Sequence, residues 1–248
     1  MRINARGHSF KELNERIREA IRKGANGIDL FNVNGQRYIG DGVNRKVSIV
    51  IHGTAGNDLG AFMNGVKIVV HGNAGDGVGN TMDGGKIVIH GGVGDITGYS
   101  MRGGSIFIER DAGYRVGIHM KEYHTHCPVI VIGGLARDFL GEYMAGGRIV
   151  VLGIGTDGDP VGDFIGTGMH GGKIYIRGRV SKDALGEGAK IEDLREDDWE
   201  ELREILNRYC GEFQISSDRL LDSRFTMIVP TSHRPFGKLY AFNKRAKR

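Results

Sequence analysis

Three histidines, His52, His71 and His90, recur every 19 residues, and Glu109 continues the series. Imidazoles and a carboxylate are zinc ligands by type. A tetrahedral centre needs donors that converge, whereas side chains stacked one repeat apart on neighbouring strands point in parallel. The series is therefore expected to be an edge ladder. A second group, His119, His124, His126 and Cys127, falls in one short segment, but its H-x4-H-x-H-C spacing matches no zinc pattern. It reads as an excursion loop suited to contact with a partner. Asp138 and Glu142 make an acidic pair with no supporting group, so neither is assigned as a general acid or base. Glycine strings such as Gly72–Gly79 have the composition of phosphate loops. Neither G-x-x-x-x-G-K-[ST] nor a strand–G-x-G-x-x-G–helix frame occurs, and the string recurs along the chain, which is a structural signature. No G-x-S-x-G elbow or H-E-x-x-H pair is present. No catalytic, cofactor-binding or metal residue is assigned.

What positions these residues is a repeat. Met63, Met82, Met101 and Met120 recur every 19 residues, as do Gly60, Gly79, Gly98 and Gly117, and Ile49, Ile68, Ile87 and Ile106. The series continues with Gly141, Met144, Gly166 and Met169 at wider spacing, the excess falling in loops at Lys121–Cys127 and Gly155–Pro160. A fixed period near 20 residues signals a solenoid. One short strand per unit cannot bury a face alone, but stacked strands make a continuous core. Glycine serves corners that need positive φ or close backbone approach, and two columns fit: 56, 75, 94, 113 and 60, 79, 98, 117. The methionine column reads as an adaptable core ladder rather than a metal site. The expected fold is all-β, a right-handed parallel β-helix of about seven coils with small α/β extensions at both ends. Its parts are residues 1–42 as a helix and hairpin cap, 43–178 as the β-helix, and 179–248 as a helical and extended segment.

Alternation along each strand places Val50, Val69, Val88, Phe107, Ile130, Val150 and Tyr175 on the face turned away from the core. That column is apolar throughout, which predicts a cover, either the chain's own terminal helix or another protein. In the N-terminal region, Ser9 and Glu12 have capping-box spacing before a helical run that Gly24 ends. Asn34-Gly35, between Ile28–Val33 and Gln36–Ile39, has the form of a hairpin turn. Near the other end, Trp199, Leu202, Ile205, Leu206 and Tyr209 have helical spacing with Gly211 as a stop. Phe225–Val229 reads as a strand ended by Pro230. This region could close the end of the solenoid or lay its helix on the apolar column.

The 42 glycines with only four prolines, and no Gly-X-Y triplets, exclude collagen. The net charge is +4. It is concentrated in a basic tail from His233 to Arg248 that reads as a solvated end or a contact with an acidic partner, not as a nucleic-acid or membrane site. Glu192–Glu204 is acidic. Cys127 and Cys210 are expected to be reduced thiols of a cytoplasmic protein. No apolar run reaches membrane-spanning length and no signal peptide is visible.

The unit G-x2-x-G-x3-G-x2-M-x-G-G-x-I at Gly72–Ile87 and Gly91–Ile106, and the stretch Gly141–Gly153, resemble the GXGXG domain of glutamate synthase. Val33–Gly40 and Phe225–Pro230 are similar to that family too, and in particular to the archaeal-type subunit that carries this domain alone. The resemblance implies an architectural β-helix that packs between amidotransferase and synthase parts. FMN, the iron–sulfur cluster and the catalytic cysteine would belong to those partner subunits, and none would be bound by this chain. Two cysteines are too few to ligate a cluster. The chain also resembles the GXGXG-bearing subunit of formylmethanofuran dehydrogenase, another scaffold. A β-helical acyltransferase is the alternative enzyme class, but a 19-residue coil does not scan as hexapeptides. The expected role is a non-catalytic scaffold of a glutamate synthase complex, with a homo-oligomer compatible with it.

Overall fold

The computed structural model describes residues 1–232, and the basic tail from His233 onward lies outside the described residues. An opening unit of β1 (Arg2–Asn4), α1 (Phe10–Arg22) and β2 (Gly27–Asn34) brings β1 and β2 side by side in parallel. Strands β3 (Ser48–Thr54), β4 (Val66–His71), β5 (Gly85–Ile89), β6 (Ser105–Ile108), β7 (Val129–Ile132), β8 (Ala145–Val151) and β9 (Gly171–Arg177) then stack in parallel, each on its predecessor. About six full turns separate β3 from β9, close to the seven coils expected. Beyond β9 come β10 (Ala189–Glu192), α2 (Glu196–Phe213), a short helix α3 (Asp218–Leu221) and β11 (Phe225–Pro230). Strand β11 turns back antiparallel onto β9, and β10 closes the sheet.

Isoleucines 49, 68, 87, 106, 130, 149 and 174 stand in one register column, fully buried. Each contributes roughly 1.5–3 kcal/mol by leaving water. The methionines at 63, 82, 101, 120, 144 and 169 are also buried, in the same core. The two glycine columns do different work. Gly60, Gly79, Gly98, Gly117, Gly141 and Gly166 all have φ between 65° and 72°. A side chain at Gly79 would also meet Ile106 Cδ1 at 2.5 Å. At Gly75, Gly94 and Gly113 the demand is close approach: a Cβ would fall on the side-chain oxygen of Asn57, Asp76 or Asp95 in the preceding coil. Those oxygens accept the next coil's backbone N–H groups, from Asp76 (3.1 Å), Asp95 (2.9 Å) and Tyr114 (2.9 Å).

Three expectations are corrected. Asn34-Gly35 does not turn a hairpin, and Gln36–Ile39 forms no strand. Strand β2 is flanked by β1 and β3, so a returning strand has no free edge to join. Gln36 instead accepts the N–H of Asn34 and donates to the carbonyls of Ala5 and His8, tying the chain to the opening unit. The outward column runs through Val131, not Ile130, because β7 pairs Phe107 with Val131 and sends Ile130 into the core. The exposed Lys121–Cys127 excursion hides this one-residue difference. Gly211 does not stop α2, which runs on to Phe213 and ends where Gln214 adopts φ 56°. The capping box at Ser9 is present, with both reciprocal bonds formed.

Candidate interaction surface

The outward face of the sheet is covered by the chain itself. Leu202, Ile205, Leu206 and Tyr209 of α2 pack on Phe107, Val131, Val150 and Tyr175. Toward the start of the solenoid, Val50 and Val69 stay half-buried. The helix also closes over a basic column. Lys67 and Lys86 reach the two oxygens of Glu212 at 3.1 and 2.6 Å. Lys173 reaches Asp198 at 2.6 Å, and Arg148 reaches Glu201 at 2.7 Å. Burial acts to raise the Glu201 carboxyl, but hydrogen bonds from Arg148 and Tyr175 and the charge of Lys173 outweigh it and hold it below the ordinary carboxylate value. Burial, followed by the charge of Glu201, pushes the Tyr175 phenol well up. This network fixes the helix on the sheet.

The opposite arc is open and strained. Either side of each corner glycine, two places away, the backbone is again left-handed. One row holds Asp58, Ile96, Arg115, Phe139 and Phe164, and the other Phe62, Thr81, Ser100, His119 and Tyr143, all with φ between 50° and 61°. This conformation costs an L-residue roughly 1–2 kcal/mol. The chain uses glycine at the equivalent places 77 and 168, so the side chains elsewhere are borne at a cost. Several of them are large and exposed: Phe164 is 51%, Tyr143 46% and Phe62 57% accessible. They stack along the axis, Phe139 on Phe164 at 4.9 Å and His119 on Tyr143 at 5.3 Å. Arg115 lies 4.3 Å over Phe139 and pairs with the buried carboxylate of Glu142. Beside Phe139 and Phe164 runs a row of aspartates, Asp76, Asp95, Asp138 and Asp163. Among the described residues no cation comes within ion-pair distance of them.

The other sequence candidates are placed apart from one another. His52, His71 and His90 form a stacked column headed by Phe31, with ring centroids 4.6–5.2 Å apart and planes within 21°. Glu109 reaches His90 Nδ1 at 3.2 Å. The rings lie face to face, and among the described residues no three His, Cys, Asp or Glu side chains converge as a metal set. Residues 121–127 form an exposed excursion clasped by Tyr123 and His126. His119 belongs to the arc instead, stacked on Tyr143. Desolvation pushes the Cys127 thiol up despite the opposing charge of Arg148, so it is not an activated nucleophile. Cys210 is buried on α2. Asp138 and Glu142 do not act as a pair: Asp138 accepts the N–H of Asp163 at 3.1 Å, and Glu142 holds Arg115. An open groove of about 440 Å³ passes between Lys67, Lys86, Arg208 and Cys127, but both of its lysines are engaged by Glu212.

Two sets of residues escaped sequence reasoning. The basic column Lys67, Lys86, Arg148 and Lys173 aligns in register, and its signal was the match to the acidic segment Glu192–Glu204. The arc aromatics had no such signal, since positive φ at Phe, Tyr or His cannot be read from residue type. Among the described residues no helix is long and apolar enough to cross a membrane.

Comparison with known proteins adds three findings. A family model described as the GXGXG motif matches residues 11–231. The chain is 51% identical over 248 residues to the uncharacterized protein MJ1350 of Methanocaldococcus jannaschii, spanning 96% of this chain and 95% of that protein. It also resembles a chain in the crystal structure of the formyltransferase/hydrolase complex (FhcABCD) from Methylorubrum extorquens in complex with methylofuran. There the TM-score is 0.61 and the identity 24%, over 82% of this chain and 72% of that one. At that identity the likeness is one of fold.

Proposed function

The chain belongs to the GXGXG motif family, and from that premise we propose that it is a non-catalytic β-helical subunit that scaffolds a glutamate synthase complex. In this reading it holds amidotransferase and synthase subunits that together form glutamate from glutamine and 2-oxoglutarate in the cytoplasm. FMN and an iron–sulfur cluster sit on those partners. The observation that carries the reading is the contrast between the two long faces. Much of the sheet face is covered by α2, while the arc bears strained, exposed aromatics that a free-standing protein has no folding reason to keep. The resemblance of the Gln36–Ile39 stretch favours the glutamate synthase branch. A second reading, a scaffold within a formylmethanofuran dehydrogenase-like complex, draws support from the fold shared with a chain of FhcABCD.

Affinity purification of the tagged chain from its native cells, with mass spectrometry and a glutamate-forming assay, tests the proposal. Amidotransferase and flavin subunits with reductant-dependent glutamate formation are expected. Molybdenum or tungsten subunits would favour the second reading. Glutamate synthesis by the purified chain alone would overturn the scaffold role.

A further inference from the structure

We propose that the groove between α2 and the 121–127 excursion binds a small oxyanion, a carboxylate or a phosphate group. The site starts from one strand position. In register that position reads Ser48, Lys67, Lys86, Ser105, Val129, Arg148 and Lys173. Ser105 is a short residue following two lysines, and the groove opens there. Thr125 and His126 of the excursion and Arg208 of α2 complete its lining.

The charges in this groove are unbalanced. Lys67 and Lys86 share one carboxylate, that of Glu212, so two positive charges face one negative. Glu204 and Glu212 stand one helical turn either side of Arg208, yet among the described residues no carboxylate comes within ion-pair distance of it. Lys86 Nζ and the Arg208 guanidinium lie 5.9 and 5.7 Å from the centroid of the same Phe107 ring, so the two cations converge. Among the described residues no carboxylate lines the groove itself. A cleft walled by charges of one sign concentrates counter-ions.

Hydrogen-bonding capacity points the same way. Each ammonium has three donors and spends one on Glu212, and the guanidinium offers five. Ser105 lines the groove at 2% exposure, and its hydroxyl makes no hydrogen bond to a described group. A hydroxyl so placed is costly without a partner, and an oxygen bound in the groove would accept from it. A donor-rich, cationic groove selects a group that only accepts. Glu212 is the fold's own example of such a group, with one oxygen on each lysine. The site is built by this chain alone, so its test is separate from that of the scaffold role.

The test titrates the full-length chain calorimetrically with inorganic phosphate and, separately, with glutarate, each against sodium chloride at matched ionic strength. Saturable one-site binding of at least one of them, with a Kd below about 1 mM, is expected. Which of the two binds tells phosphate from carboxylate. Arg208→Gln should weaken binding about tenfold and Ser105→Ala about threefold, both with an unchanged melting temperature. Arg102→Gln, in the neighbouring groove that Asn64, Asp83 and Lys121 also line, should leave it unaltered. No saturable binding of either anion would overturn the proposal. Binding indifferent to Arg208→Gln or to Ser105→Ala, or lost equally with Arg102→Gln, would do the same.

Discussion

The phenol of Tyr209 on α2 donates a 3.1 Å hydrogen bond to the carbonyl of Ile108 on β6. The same oxygen receives the N–H of Gly133 at 2.8 Å, so one carbonyl joins helix, strand and following coil. Gly133 has no side chain because Tyr209 Oη and the Glu109 carbonyl fill the space a Cβ would need.

Gly133→Ala should therefore destabilise the protein by about 2–3 kcal/mol through overpacking, whereas Tyr209→Phe should cost only about 1 kcal/mol, the worth of one hydrogen bond. Urea denaturation of both variants measures the difference. Equal losses would mean that the helix yields easily at this point.

Opposite effects are expected two residues apart on the arc. Ile96→Gly should leave stability unchanged or raise it by up to about 1 kcal/mol, because a β-branched residue is released from φ 51°. Gly98→Ala should cost about 2 kcal/mol or more, since it adds strain at φ 72° and a clash with Ile130 Cδ1. Thermal melts of the two variants read the contrast, and a destabilised Ile96→Gly would contradict it.

Acid should loosen α2. The Glu201 carboxyl lies below its ordinary value of 4.5 in the fold, so its stabilisation is complete above about pH 4.5 and is lost as pH falls through the folded value. Glu201→Gln should lower stability at pH 7 and flatten the fall below pH 4.5. Asp198 and Glu212, shifted the same way, keep part of the slope. Denaturation midpoints across pH 3–7 test this, and a profile parallel to the parent protein would refute it.

The histidine column should sense milder acid. Desolvation, with the neighbouring His90 and His52, holds the His71 imidazole below its ordinary 6.5. As pH falls past 6.5 the unfolded chain takes up its proton first, so stability drops down to the folded value and stays lower beneath it. His71→Phe keeps a ring in the stack, as Phe31 does at its head, and should reduce the loss of melting temperature between pH 7.5 and 5.5. An unchanged loss would place the pH dependence elsewhere.

The spacing of Met63, Met82, Met101 and Met120 was enough to read the solenoid, because a buried column repeats only when the backbone does. The cover on the sheet was legible from Val88 and Phe107, which are apolar on a face that water would otherwise reach. Asn34-Gly35 misled because turn propensity is local, and the neighbours β1 and β3 decide whether a strand can return. The shift from Ile130 to Val131 was invisible behind the excursion, since both residues are β-branched and only pairing tells them apart. The arc was hidden for a different reason: left-handed backbone is legible where glycine supplies it, as at Gly77, and silent where Phe139 or Tyr143 adopts it.

Strand β11 runs against the stack it joins. Parallel coils are otherwise an open series, each exposing the edge on which another could grow, and identical molecules could polymerise end to end. By reversing direction and handing the outer edge to the short, charged β10, the chain ends that series. It is a filament-forming geometry blunted at this end, and its length is set by where Phe225 meets Arg177.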